Sequence, residues 1–524
     1  MPLQEIKTLS PLFFFFWFYL LIERNKEMAH HSSKLKSLPL SQFEIQPRKY
    51  ILFRYCLLLL LMLSAATSVL KLATSSASRS PLVQKVDDTP FSETSKDKEF
   101  LRTHVSSPEN HLQAREEGRI SPSSCSNLID GITTSSTAND QGILCCDRSH
   151  QRTDVCYMKG DIRTDAQSSS ILLHSTKDGN INDEKIRPYT RKWETEVMNT
   201  VDEITLHPTP ITNESKCDIN HSVPAIVFST GGYTGNVYHE FNDGLIPLYI
   251  TAERFKGEVV FVVLEYHSWW KTKYGSVVKK LSNYKMVDFS SDRRVHCFSE
   301  MMVGLKIHGE LTIDPTLMHG GKGIQDFQSL LHQGFSSHQP IQLQPQKPRP
   351  KLAIFIRNKS RVLQNLKVIV KICEKIGFDV QILNPKRITP LSEIYTVLNS
   401  SDAMLAVHGA AMTHFLFMRP GSVLIQIVPL GLDWAAEAYY GEPAKKLGLN
   451  YNVYKLNPAE SSLYKQYDRR SLVIRDPESI TSKGWSETKR IYLEQQNVRV
   501  NLRKFSRLIA KVHYDIVHRL HAQS

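Results

Sequence analysis

Three stretches of this chain hold residues whose types and spacing suit chemistry. In STGGYTGNVYHEFNDGLIP (Ser229–Pro247), His239 and Asp243 stand at i and i+4. One helical turn apart, a carboxylate can hydrogen-bond an imidazole, orient it and raise its basicity. In IFIRNKSRVLQN (Ile354–Asn365), Arg357 and Arg361 fall where a strand ends and a helix begins. Two guanidiniums at such a place suit a diphosphate. In AVHGAAMTH (Ala406–His414), His408 and Gly409 occupy a strand-to-helix turn, and Ala410, Ala411 and Thr413 are small enough to bring backbone N–H groups near a phosphate or base. Tyr233, and Trp269 and Trp270 in EYHSWWKTKYG (Glu265–Gly275), are candidates for stacking on sugar rings. Each stretch also has a plain structural reading: a solvated His–Asp pair, surface arginines, a core histidine, core aromatics.

The elements around these residues follow an alternating pattern. Apolar, β-branched runs of strand length lie at Pro224–Ser229, Glu258–Tyr266 and Lys285–Ser290, with a helix over Asn236–Phe255. On that helix Val237, Phe241, Leu245 and Leu248 form one stripe, and Asn236, His239, Glu240 and Asp243 face the other way. Gly231, Gly232 and Gly235 precede it and let the backbone turn close to a ligand. A Pro- and Gln-rich linker covers Ser336–Lys351. Beyond it, strands at Lys351–Arg357, Phe378–Leu383, Ala403–Val407 and Ser422–Val428 alternate with helices at Val362–Ile376, Leu391–Asn399 and from Ala410. Continuous apolar strands in this order predict parallel sheets covered on both faces. The reading is α/β: an N-terminal Rossmann-like domain over 141–345 and a C-terminal one over 346–524, facing a cleft. Ligands of such sheets bind beyond the carboxyl ends of the strands.

The 524 residues carry a net charge of +13 and are 41% apolar, so a globular chain with anionic partners is expected. No RNP, zinc-finger or helix-turn-helix signature accompanies the charge, which argues against nucleic acid. The run YCLLLLLMLSAATSVL (Tyr55–Leu70) has no charge and, extended to 51–71, suffices to span a ~30 Å hydrocarbon layer. Arg24, Lys26, Lys34, Lys36, Arg48 and Lys49 precede it, so residues 1–50 read as a cytoplasmic tail and the remainder as luminal. A cleaved signal peptide is the rival, though its basic region is unusually long. Pro11–Ile22 is too short to span, and Met28 is an alternative start. Residues 72–140, rich in Ser, Thr and charge, read as a disordered stem.

Eight cysteines include one, Cys56, in the membrane segment. The compartment permits disulfides, and Cys145 or Cys146 with Cys156 is a plausible loop closure. No C-x-x-C pair signals zinc. Sequons stand at Asn213, Asn220, Asn358 and Asn399; the one at Asn358 is expected to be unused beside the arginine pair. There is no Asp-x-Asp, G-x-S-x-G or P-loop motif, so no carboxylate-held metal, serine hydrolase or P-loop kinase is signalled.

Taken together FSTGGYTGN with the His239/Asp243 helix, SWWKTKY, Arg357 and Arg361, VHGAAMTH, YYGEPAKKLGLNYNVYKL, KGW and IYLEQQNVRVN resemble glycosyltransferase family 61, and within it the plant members that decorate xylan. The likeness runs from about Cys145 to Phe505. It implies a GT-B architecture, a Golgi type II membrane protein, and inverting transfer of arabinofuranose or xylose from a UDP-sugar to xylan, with no cofactor and no metal. By position it implies His239 or Asp243 as base, Arg357 and Arg361 as diphosphate holders, and His408, Gly409, Ala410 and Thr413 as the donor loop. Sister members transfer xylose to N-glycans, which is the alternative within the class. Where the family usually reads His-Gly-Ala-Gly-Leu-Thr-Asn, this chain has Ala411, Met412 and His414. A non-catalytic Golgi scaffold, alone or in an oligomer, and a polysaccharide-binding module built on Trp269 and Trp270 are the alternatives outside it.

Overall fold

A computed structural model describes residues 122–131, 142–175, 182–210, 216–335 and 349–522. All belong to the second of two units of the chain, Thr94–Ser524. The predicted tail, the anchor at 51–71, and most of the predicted stem lie outside the described residues. Among the described residues no helix is long and apolar enough to cross a membrane.

Two sheets organise the molecule. The first holds β1 (Ile143–Asp147), β2 (Val155–Asp165), β3 (Ser170–Ser175), β4 (Glu184–Ile186), β5 (Ile204–Pro210), β6 (Ile219–Asn220), β7 (Ala225–Ser229), β8 (Val260–Leu264), β9 (Val287–Asp288) and β10 (His296–Val303). The second holds β11 (Lys351–Phe355), β12 (Asp379–Leu383), β13 (Ala403–Val407), β14 (Val423–Val428) and β15 (Asn450–Lys455). The second is parallel throughout, ordered β12-β11-β13-β14-β15. That order reverses beside β11, so its switch point lies between β11 and β13, the strands that lead into Arg357 and His408.

The first sheet departs from the all-parallel expectation. Its parallel part is β10-β7-β8-β9, but β2 joins β10 antiparallel and carries β1 and β3 antiparallel beside it. The reason is local. β1, β2 and β3 follow one another through short turns, which only antiparallel neighbours allow. The parallel part reverses order at β7, whose carboxyl end leads into the glycine loop before His239.

Alternation along the strands builds the cores. Ile226 and Phe228 on β7, Phe261 and Val263 on β8, and Ala353, Phe355, Met404 and Ala406 on β11 and β13 enter one continuous apolar cluster. Ala225, Val227, Val260 and Val262 point to a second cluster, and Leu352, Ile354, Leu405 and Val407 to a third. The first cluster therefore lies between the lobes and joins them. Phe241 meets Phe417 edge-on at 5.9 Å, and Gln328 donates to the backbone oxygens of Leu416 and Met418 at 3.1 and 2.6 Å. A shared core, in place of a linker alone, fixes how the two lobes present their strand ends. The helix Leu502–Ala522 closes the outer face of the second sheet with Phe505, Ile509, Val512 and Ile516.

Three disulfides pin the antiparallel half: Cys125–Cys145, Cys146–Cys156 and Cys217–Cys297. The loop closure expected at Cys156 is met by Cys146, an in-register partner across β1 and β2. Cys145 turns the other way and ties down a helix at Pro122–Asp130. That helix corrects the stem boundary: residues 122–131 are folded onto the domain through Cys125 and Ile129, both buried. Cys373 is free and buried.

Candidate active site

The segment carrying His239 is not a uniform α-helix. Val237–His239 is α-helical, Glu240–Leu245 is a π-turn, and Ile246–Ala252 is α-helical again. Asn236 caps it, its side chain accepting from the Tyr238 N–H. The wider turn places Glu240, Asn242 and Asp243 inward, all buried. Such π-bulges often mark functional sites.

Asp243 is 1% exposed, and each of its oxygens has partners. Oδ2 accepts from His239 Nδ1 at 2.6 Å and from Arg191 Nε at 2.9 Å; Oδ1 accepts from Asn242 Nδ2 at 2.7 Å and lies 3.6 Å from Arg152 Nη2. Burial alone would raise this carboxyl's pKa, but Arg191 and His239 outweigh it and hold the pKa below the usual carboxylate value. An ionised carboxylate only accepts, so His239 Nδ1 carries the hydrogen, and in the neutral ring the lone pair is on Nε2. Tyr233 stacks on the imidazole at 4.0 Å and anchors its own hydroxyl on Glu194 at 2.7 Å. The histidine is thus fixed in one tautomer and one orientation. Asp243 is enclosed and serves as its orienter.

The glycine loop has a structural use visible here. A Cβ on Gly232, whose φ is +61°, would meet the Tyr189 ring at 2.5 Å. The hydroxyl of Tyr189 lies 3.5 Å from Asp243 Oδ2 and accepts from the Tyr233 N–H at 3.3 Å. Gly232 therefore admits the ring that backs the His–Asp pair.

Replacing Asp243 by asparagine is expected to destabilise the protein by about 3 kcal/mol, because Arg191 and Arg152 lose their buried counter-charge. The sign with pH follows from the depressed pKa: the stabilisation is complete above about pH 4 and is lost as pH falls below it. Thermal unfolding of the wild type and Asp243→Asn should differ at pH 7 and converge in acid. An equal gap at both pH values contradicts the assignment.

In the second lobe Arg357 and Arg361 come together as expected. Both are substantially buried, and among the described residues no carboxylate forms an ion pair with either. Burial lowers the pKa of both guanidiniums, and Arg357 adds to the effect on Arg361, bringing it to about 9. Arg361 Nη1 donates to the backbone oxygen of His408 at 2.9 Å, while Arg361 Nε is buried without a partner. The Arg361 backbone sits at φ +54°, a strained conformation for a residue with a side chain, held by its N–H to Gln496 O at 2.6 Å. Gly409, at φ +148°, leaves room for both guanidiniums: a Cβ there would collide with Arg357 and lie 3.1 Å from Arg361 Nη1. Two buried guanidiniums without a carboxylate partner, beside a strained backbone, are an arrangement that suits an anion.

His408 is buried, with Nδ1 2.8 Å from Gln426 Nε2, which donates to it; Gln426 Oε1 accepts from Tyr451 at 2.6 Å. Burial and then the two arginines push the His408 pKa well down, so the ring is neutral and its hydrogen is on Nε2. Ala410–Phe417 is helical where a helix was expected, and winds as a 3-10 helix. Ala410 is only partly buried, whereas Thr413 is fully buried and near Tyr440.

His414, one of the departures from the family pattern, does not face a ligand. It is buried, stacked on Phe355 at 5.3 Å, with Nδ1 donating to Ala411 O at 2.8 Å. Burial brings its pKa down to about 4. The folded state keeps it neutral while the unfolded chain protonates below about pH 6.5, so this residue costs stability as pH falls from 6.5 toward 4. Expected at pH 5 is a loss of about 2 kcal/mol relative to pH 7, absent in His414→Asn. Unfolding curves of both proteins at the two pH values test this; His408, of the same sign, leaves a common residual slope.

The two clusters meet. His239 touches Tyr238 edge-on at 5.2 Å; Tyr238 lies 6.1 Å from Tyr440 across the lobes; Tyr440 lies 5.3 Å from His408. A chain of ring contacts thus links His239 on the first lobe to His408, whose backbone oxygen holds Arg361, on the second. Trp270 does not join them. It is 3% exposed and donates Nε1–H to Glu240 at 2.7 Å, so no face is open to a sugar. Trp269 is half-buried, with the Arg387 guanidinium 3.9 Å from its ring centre and His267 stacked on it at 5.9 Å. Tyr233 lines the recess beside His239.

Sequence reasoning missed Tyr189, Arg191, Arg152, Glu310 and Tyr440. Glu310 accepts from Arg152 Nη1 at 2.8 Å and from the Tyr238 hydroxyl. A signal was present in RPYTRKW (Arg187–Trp193), where cations and aromatics interleave in a loop after a short strand.

A family model described as Glycosyltransferase 61 matches residues 239–425. The chain is similar to the xylan glycosyltransferase MUCI21 of Arabidopsis thaliana, 51% identical over 75% of this chain and 82% of that protein. It is similar to two proteins of Oryza sativa subsp. japonica. One is the alpha-1,3-arabinosyltransferase XAT3, 36% identical over 69% of this chain and 63% of that one. The other is the beta-1,2-xylosyltransferase XYXT1, 35% identical over 73% and 87%.

Proposed function

Because this chain belongs to the Glycosyltransferase 61 family and is a glycosyltransferase, we propose that it moves a pentose, arabinofuranose or xylose, from a UDP-sugar to xylan with inversion and without a metal. The relatives' names support the acceptor class. The observation that supports the mechanism is an oriented imidazole on one lobe linked through Tyr238 and Tyr440 to two guanidiniums without a carboxylate partner on the other.

An acceptor hydroxyl gives its proton to His239 Nε2 as its oxygen attacks the anomeric carbon. The bond from that carbon to the diphosphate oxygen breaks, and UDP leaves with the electron pair. Asp243 faces the imidazolium that forms. Arg357 and Arg361, with the backbone N–H groups of Ala410 and Ala411, stabilise the charge growing on the diphosphate. Attack opposite the leaving group inverts the configuration. The architecture we propose is GT-B, with the donor on the second lobe and the reacting acceptor hydroxyl at His239 of the first. The anchor at 51–71 supports a Golgi membrane protein with this unit in the lumen.

The test is a donor screen. Incubation with several UDP-sugars and xylo-oligosaccharides, with and without EDTA, should give pentosylated product by mass in both conditions. Loss of all product in EDTA contradicts the arginine account; no product with any UDP-pentose contradicts the transfer reading.

A further inference from the structure

All three exposed tryptophans among the described residues are absent from the crevice reading so far: Trp193 at 49%, Trp434 at 41% and Trp485 at 40% exposure. Large indoles in water are costly unless something covers them. Two of them form a group. Trp434 meets Trp485 edge-on at 6.0 Å, and Tyr439 meets both, at 5.7 and 6.4 Å. Tyr439 in turn lies 5.5 Å from Tyr238, which also meets the His239 ring at 5.2 Å. An unbroken path of rings therefore runs from the base to solvent.

The local backbone builds this path. Trp434 stands on the short helix Asp433–Ala436, beyond the carboxyl end of β14. A π-turn follows at Glu437–Gly441. Within it Tyr440 points inward to His408, buried to 2% exposure, and its neighbour Tyr439 points outward to the tryptophans. Trp485 opens another helix after Gly484, whose φ of +117° makes the turn that brings the indole across. Beside this group Lys455 pairs with Asp433 at 2.8 Å.

We propose that Trp434, Trp485 and Tyr439 form an acceptor platform on the second lobe, on which a neutral β-linked glycan chain stacks its sugar faces while one residue reaches His239. Flat apolar rings match the faces of uncharged pyranoses. Continuity with the base selects the acceptor over an unrelated partner. The platform rests on the transferase reading above, and it takes the stacking role from Trp269 and Trp270.

The experiment compares the full-length wild type with Trp434→Ala, Trp485→Ala and Trp434→Phe. Electrophoresis through gels containing soluble xylan reads binding without activity; UDP affinity is read by calorimetry, and KM by xylo-oligosaccharide length. Each alanine variant should lose most of the retardation and raise KM for long acceptors on the order of tenfold. UDP affinity and KM for the shortest acceptor should not move, and Trp434→Phe should recover part of the loss. Unchanged retardation and KM in both alanine variants, or a wild type that xylan does not retard, overturns the platform. A wild type retarded through these tryptophans but making no product leaves the platform standing and removes the transferase reading.

Discussion

Replacing His239 by alanine is expected to cut sugar transfer by 10²–10⁴-fold while UDP affinity stays at the wild-type value. The split follows from geometry. The imidazole belongs to the first lobe and meets the acceptor's proton, whereas the diphosphate seat is built by Arg357, Arg361 and the His408 loop of the second. His239 also has no backbone or core duty. Its contacts are Asp243 at 2.6 Å, Tyr233 at 4.0 Å and Tyr238 at 5.2 Å, and the side chain is 15% exposed. Folding should therefore survive the change, and the loss should appear in kcat. A variant with a normal kcat removes His239 as the base and shifts attention to Glu310, a carboxylate bonded to the Tyr238 hydroxyl.

Arg361→Met should act in two opposed directions. Removing one of two donors to a leaving diphosphate costs on the order of 10²–10³ in rate. Without substrate, the same change relieves repulsion with Arg357 and the desolvation that brings the Arg361 pKa down to about 9. It sacrifices the bond to His408 O, worth about 1 kcal/mol. The balance favours the variant, so the ligand-free protein should unfold at a higher temperature. Sites held in readiness for a charged ligand show this opposition of stability and activity. A variant both less active and less stable would make Arg361 a structural residue.

How much of this was legible in the sequence depended on the range of the interaction. The second sheet could be read because Lys351–Phe355, Ala403–Val407 and Val423–Val428 are apolar on both faces, and short parallel strands require that. His239 and Asp243 could be read because i,i+4 geometry is local. Arg191 could not, since its bond to Asp243 joins residues 52 apart in the chain. The tryptophans show the limit most plainly. Composition marks all of them as candidates for stacking, but only the tertiary fold buries Trp270 against Glu240 and leaves Trp434 and Trp485 in solvent. The antiparallel half of the first sheet was missed because β1 and β4 are short and β2, with Lys159, Asp161, Arg163 and Asp165, carries little apolar patterning.

The most direct test of the central claim is a structure of the protein with UDP bound in the presence of EDTA. The account predicts the diphosphate oxygens within hydrogen-bond distance of Arg357 and Arg361, in front of Gly409, with the imidazole of His239 across the same crevice. UDP seated elsewhere on the molecule, or beside the arginines with His239 turned out of reach of the sugar, would contradict it.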